Sequence, residues 1–160
     1  MVKHVVGVAD SKVSSDCGDV IVTQALGSCL GITIYDPVAH VGGMLHVMMP
    51  VSSINRDEAR LNPLMFVDTG VPVFFWDIYS AGGVKNRLIV KVAGGATIQH
   101  NGQDNFAIGK RNMVMLRKLL WKNGVLIEAE DVGADYARSM RLHIATGRVV
   151  ISTNGCEKEL

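Results

Sequence analysis

The sequence lacks the features that mark several large protein classes. Its three cysteines, Cys17, Cys29 and Cys156, are odd in number and show no CxxC spacing, which argues against a disulfide framework and for a reducing compartment. No run of about 18 apolar residues occurs, so no transmembrane helix is predicted. Lys and Arg number 16 against 15 Asp and Glu, without a basic or acidic block, which argues against nucleic-acid binding. We expect a cytoplasmic protein with no direct membrane insertion.

A metal centre and a phosphate-binding loop also lack their usual sequence traces. Zinc needs three or four ligands, commonly in close pairs such as CxxC or HExxH. The five histidines show no such pairing, and neither GxGxxG nor GxxxxGK[ST] is present. We therefore expect neither a metal nor a cofactor.

The elements that are present predict one α+β domain over residues 1–160, with a hydrophobic content of 48% that suits a single core. Helices are predicted from the Asn62-Pro63 pair to the Gly82-Gly83 pair, with a kink or a late start because of Gly70 and Pro72, and over 108–122. The polar segment 51–62 is expected to be a surface loop. Strands are predicted within 1–12 and at 20–23, 30–35, 87–93, 125–130, 139–145 and 148–153, with a further strand carrying His46.

The stretch from residue 20 to residue 50 carries the chemistry. Cys29 follows a small-residue turn, Gly27-Ser28, at the mouth of a strand. If residues 36–39 close a hairpin, the antiparallel register places Cys29 directly opposite His46, with Cβ atoms about 4.5–5.5 Å apart. A thiol and an imidazole at that separation can share a proton, and an adjacent His⁺ lowers the pKa of a thiol.

The alternative is that Cys29 is a small buried hydrophobe and His46 a core histidine. Two features favour the catalytic interpretation. Backbone N–H groups at Gly27 and Ser28 can face an oxyanion beside the sulfur. Thr23, at the end of the preceding strand, can orient the imidazole through its hydroxyl, as the third member of a triad does.

The same stretch resembles a known family, the CheD chemoreceptor glutamine deamidases of bacterial and archaeal chemotaxis. The resemblance is carried by residues 20–50, VIVTQALGSCLGITIYDPVAHVGGMLHVMMP. It continues in KVAGGATI (91–98), AIGKRNMVMLRKLL (107–120) and AEDVGADYARSM (129–140). It implies a layered sandwich of mixed or antiparallel β-sheets with helices packed outside, related to cysteine-hydrolase toxin-like deamidases.

The resemblance also implies an activity and partners. The expected enzyme is a protein-glutamine glutaminase that deamidates glutamines on the cytoplasmic helices of chemoreceptors through a thioester on Cys29, with possible receptor methylesterase activity. His46 and Thr23 complete the site, and Gly94 and Gly95 lie at its rim. A CheC-type phosphatase is an expected partner. The alternative from another class is a non-catalytic regulator of such a phosphatase.

Overall fold

Ten strands and three α-helices form the part of the chain that the computed structural model describes, residues 1–98 and 106–160. In chain order the strands are β1 (Lys3–Val5), β2 (Asp10–Ser14), β3 (Val20–Leu26), β4 (Leu30–Asp36), β5 (Val41–Val47), β6 (Ile89–Gly94), β7 (Ile127–Val132), β8 (Arg138–His143), β9 (Val149–Thr153) and β10 (Cys156–Glu159). The helices are α1 (Arg56–Leu61), α2 (Val67–Ser80) and α3 (Ile108–Lys122). None of these helices is both long and apolar enough to cross a lipid bilayer.

The strands form two five-stranded sheets. Sheet 1 has the order β1-β3-β8-β9-β10, and sheet 2 has the order β2-β5-β4-β6-β7. The pairs β1–β3 and β6–β7 are parallel and the other pairs are antiparallel. The predicted α+β sandwich of mixed sheets with helices outside agrees with this architecture.

Sheet 2 lies in the middle of the structure, because both of its faces are covered. Strands β4 and β5 are buried along their whole length. Successive side chains of a strand point to opposite faces, so Leu30 and Ile32 pack with α2 and α3. Met44 of β5 instead packs with sheet 1, in a cluster that includes Leu26 and Met140. His46, two residues after Met44, therefore points into the space between the sheets.

Several predicted elements have the expected bounds and others differ. α3 spans the predicted 108–122, and α2 shows the predicted late start, because Asn62 caps a 3-10 turn (Pro63–Met65) ahead of it. The N-terminal segment forms two strands in different sheets instead of one. The predicted loop at 51–62 contains α1, whose first turn is capped by the Asn55 side chain accepting from Glu58 N–H. The exposed edge strand β10 was not predicted.

The predicted hairpin register is wrong by two residues. Asp36 pairs with Val41, so the loop is residues 37–40 and His46 lies opposite Gly31. Asp36 stays in the strand because its buried carboxylate accepts hydrogen bonds from Val38 N–H at 2.9 Å and from the Arg87 guanidinium. A shift of two residues preserves the face to which each side chain points.

Candidate active site

Thr23 of sheet 1 and His46 of sheet 2 meet between the two sheets. Both side chains are buried, and Thr23 Oγ1 lies 2.7 Å from His46 Nδ1. The same hydroxyl donates its only proton to the Val6 carbonyl oxygen at 2.7 Å. Thr23 must therefore accept its second hydrogen bond from Nδ1–H, which leaves the lone pair of neutral His46 on Nε2.

A β-bulge in β3 aims Thr23 inward. The pairing of β3 with β8 shifts between Thr23 and Leu26, and Ala25 adopts a left-handed backbone conformation with φ of 59°. Thr23 and Leu26 are both fully buried, whereas Gln24 and Ala25 between them are exposed. The extra residue thus lets two side chains three positions apart point to the same side of the strand.

Gly31, opposite His46, leaves space that neighbouring side chains fill. A Cβ atom added to Gly31 would lie 2.8 Å from Leu26 Cδ1 and 2.9 Å from Met140 Sδ. Those two side chains occupy the volume above Gly31, next to the imidazole. The ring of His46 is therefore held in closely packed surroundings, with 1% exposure.

Cys29 lies in the turn between β3 and β4, two residues before Gly31. Its half-buried side chain packs against the cluster between the sheets. Cys29 lies just before the β4–β5 ladder, which begins at the pair Leu30–Val47, and His46 directly precedes Val47 on the facing strand. Among the described residues His46 Nε2 has no hydrogen-bond partner. Cys29 and His46 thus lie near the same end of the β4–β5 pair, with Cys29 packed against the cluster between the sheets, and no hydrogen bond joins them among the described residues.

Two backbone N–H groups of this turn are available to a ligand. Gly27 N–H donates to the Ala25 carbonyl oxygen at 3.0 Å, so it is not one of them. In the described part of the chain no backbone carbonyl accepts from Ser28 N–H or Cys29 N–H. The Cys29 N–H interacts with its own sulfur and slightly favours the thiolate. These two donors lie in the same turn as the Cys29 thiol.

Burial favours the neutral forms of both side chains. It raises the pKa of the Cys29 thiol above its usual value. The Cys29 N–H lowers this pKa, but its effect is smaller than that of burial. Burial also lowers the pKa of His46. Both directions are opposite to those expected for a preformed thiolate–imidazolium pair, so the resting site holds a thiol and a neutral imidazole.

The Gly94-Gly95 turn supports the Cys29 turn from beneath. Gly95 N–H donates to the Cys29 carbonyl oxygen at 2.9 Å, and Ala96 N–H donates to that of Gly27 at 2.9 Å. Gly94 has a φ of 109°, and a side chain there would overlap the Cys29 carbonyl oxygen. Both glycines are buried. The sequence-based prediction placed these glycines at the rim of the site, and in the structure they lie against the Cys29 turn, with α3 packed over them at Gly109.

Asn112 joins the turn that carries Cys29 to the end of β5, and the sequence analysis did not identify it. It is fully buried on α3, and its Nδ2 donates to the carbonyl oxygens of Ser28 and Met48, each at 3.0 Å. Ser28 precedes Cys29, and Met48 follows the strand of His46 by one residue. One signal in the sequence could have indicated its burial: Asn112 is a polar residue four positions before Leu116 and eight before Leu120, on the apolar face of the predicted helix.

Arg138 is a second residue that the sequence analysis missed. Its side chain is buried, with 2% exposure, and its guanidinium donates to the carbonyl oxygens of Gly94 at 2.7 Å and Gly133 at 2.8 Å. The guanidinium carbon also lies 4.7 Å from the centre of the Tyr136 ring. Arg138 therefore fixes the Gly94 carbonyl, and through it the turn beneath Cys29.

Among the described residues, no group of three or more His, Cys, Asp or Glu side chains could hold a metal ion. His100, one of the five histidines considered above as possible metal ligands, lies outside the described residues.

Comparison with known proteins gives consistent matches. Residues 48–153 match the model of a family described as CheD chemotactic sensory transduction. The probable chemoreceptor glutamine deamidase CheD 1 of Syntrophus aciditrophicus (strain SB) is 48% identical over 151 residues, 94% of each chain. The probable chemoreceptor glutamine deamidase CheD of Solibacter usitatus (strain Ellin6076) is 47% identical over all of this chain and 94% of the relative. That of Thermococcus kodakarensis (strain ATCC BAA-918 / JCM 12380 / KOD1) is 39% identical over 145 residues, 90% of this chain and 88% of the relative.

Proposed function

This chain belongs to the CheD family, and we propose that it hydrolyses the carboxamide of specific glutamine side chains on the cytoplasmic helices of chemoreceptors. The reaction leaves glutamate and releases ammonia. The names of the relatives supply the substrate class. The observation that supports the chemistry is the buried Thr23–His46 hydrogen bond, because it leaves the lone pair on Nε2, which has no hydrogen-bond partner in the described part of the chain.

In the acylation half of the proposed reaction, the Cys29 side chain turns toward the imidazole when substrate binds. Catalytic hydrogen bonds are often long in the free enzyme and shorten only in the complex. The sulfur attacks the carboxamide carbon while its proton passes to His46 Nε2. The oxyanion accepts hydrogen bonds from Ser28 N–H and Cys29 N–H. The imidazolium then protonates the departing nitrogen, so that ammonia leaves and a γ-glutamyl thioester remains.

In the deacylation half, water replaces ammonia. His46 Nε2 accepts a proton from the water as its oxygen attacks the thioester carbon. Collapse of the second tetrahedral intermediate expels the Cys29 sulfur, which takes the proton back from the imidazolium. The sum is one carboxamide and one water converted to one carboxylate and one ammonium ion.

Two residues position the reacting groups in this proposal without touching the substrate. Thr23 holds His46 in the tautomer whose lone pair is on Nε2. Asn112 holds the Ser28 carbonyl and the Met48 carbonyl at a fixed separation, and so sets the distance between the nucleophile turn and the end of β5. Both side chains are fully buried, which keeps these hydrogen bonds from exchanging with water.

The same thioester can form from a methyl ester, with methanol as the leaving group instead of ammonia. Receptor methylesterase activity is therefore compatible with the site. A CheC-type phosphatase that presents a helix to the surface around Cys29 would compete with the receptor for that surface.

The experiment that tests the proposal is incubation of the protein with a purified chemoreceptor cytoplasmic fragment, with ammonia release measured and the converted glutamines located by peptide mapping. We expect stoichiometric ammonia and glutamate in wild type. A folded wild-type protein that binds the fragment but releases no ammonia would support the non-catalytic alternative instead.

A further inference from the structure

A groove with a basic border lies between α3 and the segment that follows β5. It has a volume of about 340 Å³, and its walls include Pro50, Val51, Lys110, Val114 and Lys118. Val114 is 59% exposed although it is aliphatic. We call this feature the α3 groove. It combines an apolar strip with cationic side chains on the helical side.

The positive charge of the α3 groove is not neutralised locally. α3 contains five basic residues and no acidic residue, while the whole chain has a net charge of only +1. Among the described residues no carboxylate forms an ion pair with Lys110, Arg111 or Lys118. Arg117, on the same helix, does pair with Glu130 at 2.8 Å. The border of the groove is thus a concentrated cationic surface.

The α3 groove is connected to the candidate active site through Asn112. Asn112, which directly follows Arg111, is hydrogen-bonded to the carbonyl oxygens of Ser28 and Met48. Met48 is two residues before Pro50, so Asn112 links both walls of the groove to the turn that carries Cys29. From Lys110 to Lys118 the helix rises about 12 Å, which corresponds to roughly two turns of a docked helix.

We propose that the α3 groove is the docking site for an acidic amphipathic helix of the substrate, next to the target glutamine. This inference rests on the proposed function and adds the substrate's charge pattern to it. Apolar side chains of the docked helix cover Val114 and the half-buried Val51, and its glutamates face Lys110, Arg111 and Lys118. The protein would then select glutamines that have acidic residues within about two helical turns on one side.

The test is reversal of the border charge in the double variant Lys110→Glu, Lys118→Glu, with kcat and KM measured on the chemoreceptor fragment. We expect KM to rise roughly tenfold, since attraction becomes repulsion at two positions, with little change in kcat. The KM of wild type should rise with ionic strength, and that of the variant should rise less. The matched control is Lys122→Glu, at the end of α3 outside the groove. An unchanged KM in the double variant, or an equal change in the control, would overturn the inference.

Direct binding separates this inference from the proposed activity. In the Cys29→Ala background, a synthetic amphipathic helix with glutamates on its polar face should bind, and the same helix with lysines at those positions should not. With Lys110→Glu and Lys118→Glu added, the protein should instead bind the helix that carries lysines and not the helix that carries glutamates. If wild type releases no ammonia but charge reversal changes the bound helix from the glutamate form to the lysine form, the proposed activity is wrong and the docking site stands. If ammonia is released and neither helix binds, the docking site is wrong and the activity stands.

Discussion

The Thr23 hydroxyl oxygen lies 2.7 Å from His46 Nδ1 and donates its own proton to the Val6 carbonyl oxygen. This chain of two hydrogen bonds joins sheet 1 to sheet 2 and determines which imidazole nitrogen is basic. A threonine in one strand thereby sets the protonation chemistry of a histidine in another sheet. The proposed reaction depends on these two hydrogen bonds, because His46 accepts the Cys29 proton on Nε2.

We expect Thr23→Val to lower kcat substantially and Thr23→Ser to preserve most of it. Valine has nearly the shape of threonine but neither donates to Val6 nor accepts from Nδ1–H, so the imidazole loses its fixed tautomer. Serine keeps the hydroxyl. Steady-state kinetics on the receptor fragment, with urea unfolding of both variants, checks this. Equal loss of kcat in the two variants would show that the hydroxyl has no part in orienting His46.

The acid limb of kcat/KM should lie below pH 6.5. Burial lowers the pKa of His46 from its ordinary value of 6.5, and the neutral imidazole is the form that accepts the Cys29 proton. Activity should therefore rise as pH rises through the lowered pKa and be fully present by neutral pH. The control is His143→Gln, because burial also lowers the pKa of His143, on β8. An acid limb of kcat/KM above pH 6.5 would contradict a neutral His46. An acid limb that moved in His143→Gln would show that the limb does not report on His46.

Asp36→Asn should reduce the free energy of unfolding at pH 7 by at least about 2 kcal/mol, because Arg87 and the loop N–H groups lose a buried carboxylate. Burial alone would raise the pKa of Asp36, but Arg87 and these donors hold it well below its usual range. Its stabilisation is thus complete above the unfolded pKa of about 3.9 and is lost as pH falls below that value. Urea unfolding between neutral and acid pH measures the difference, which should shrink on acidification. The exposed Asp57→Asn is the control.

Asn112→Asp should lower kcat at neutral pH more than at acid pH. A carboxylate at this position would face the carbonyl oxygens of Ser28 and Met48 and repel both, whereas a protonated carboxyl can donate to one of them. The ratio of variant to wild-type kcat should therefore rise as pH falls. Asn123→Asp, at the exposed C-cap of α3, is the matched control. A ratio that is constant with pH would mean that Asn112 does not position the turn.

The parts of the fold that depend on local patterns could be predicted from sequence. α3 was predicted with its observed bounds because its apolar residues have helical spacing and Gly124 ends it. The predicted register was wrong by an even number of residues, so the paired residues of β4 and β5 keep their faces, whereas Cys29 itself lies in the bend before β4. The register itself depends on Asp36, which a distant residue, Arg87, holds in β4.

The parts that depend on distant contacts could not be predicted. Asn112 reaches Ser28 across 84 positions of the chain, and nothing near either residue in the sequence indicates the contact. The burial of Gly94 and Gly95 results from the packing of α3 at Gly109. The neutral state of the thiol likewise follows from burial, which the sequence alone does not quantify.

The central claim is that Cys29 carries out the deamidation, and intact-mass analysis of the receptor fragment tests it most directly. Wild type and the double variant Cys17→Ser, Cys156→Ser should both shift the fragment by the mass difference between a carboxamide and a carboxylic acid, once per modified glutamine. The two substituted cysteines are exposed and lie outside the site. Cys29→Ser should fold and leave the mass of the fragment unchanged. The same mass shift at the wild-type rate in Cys29→Ser would contradict the account.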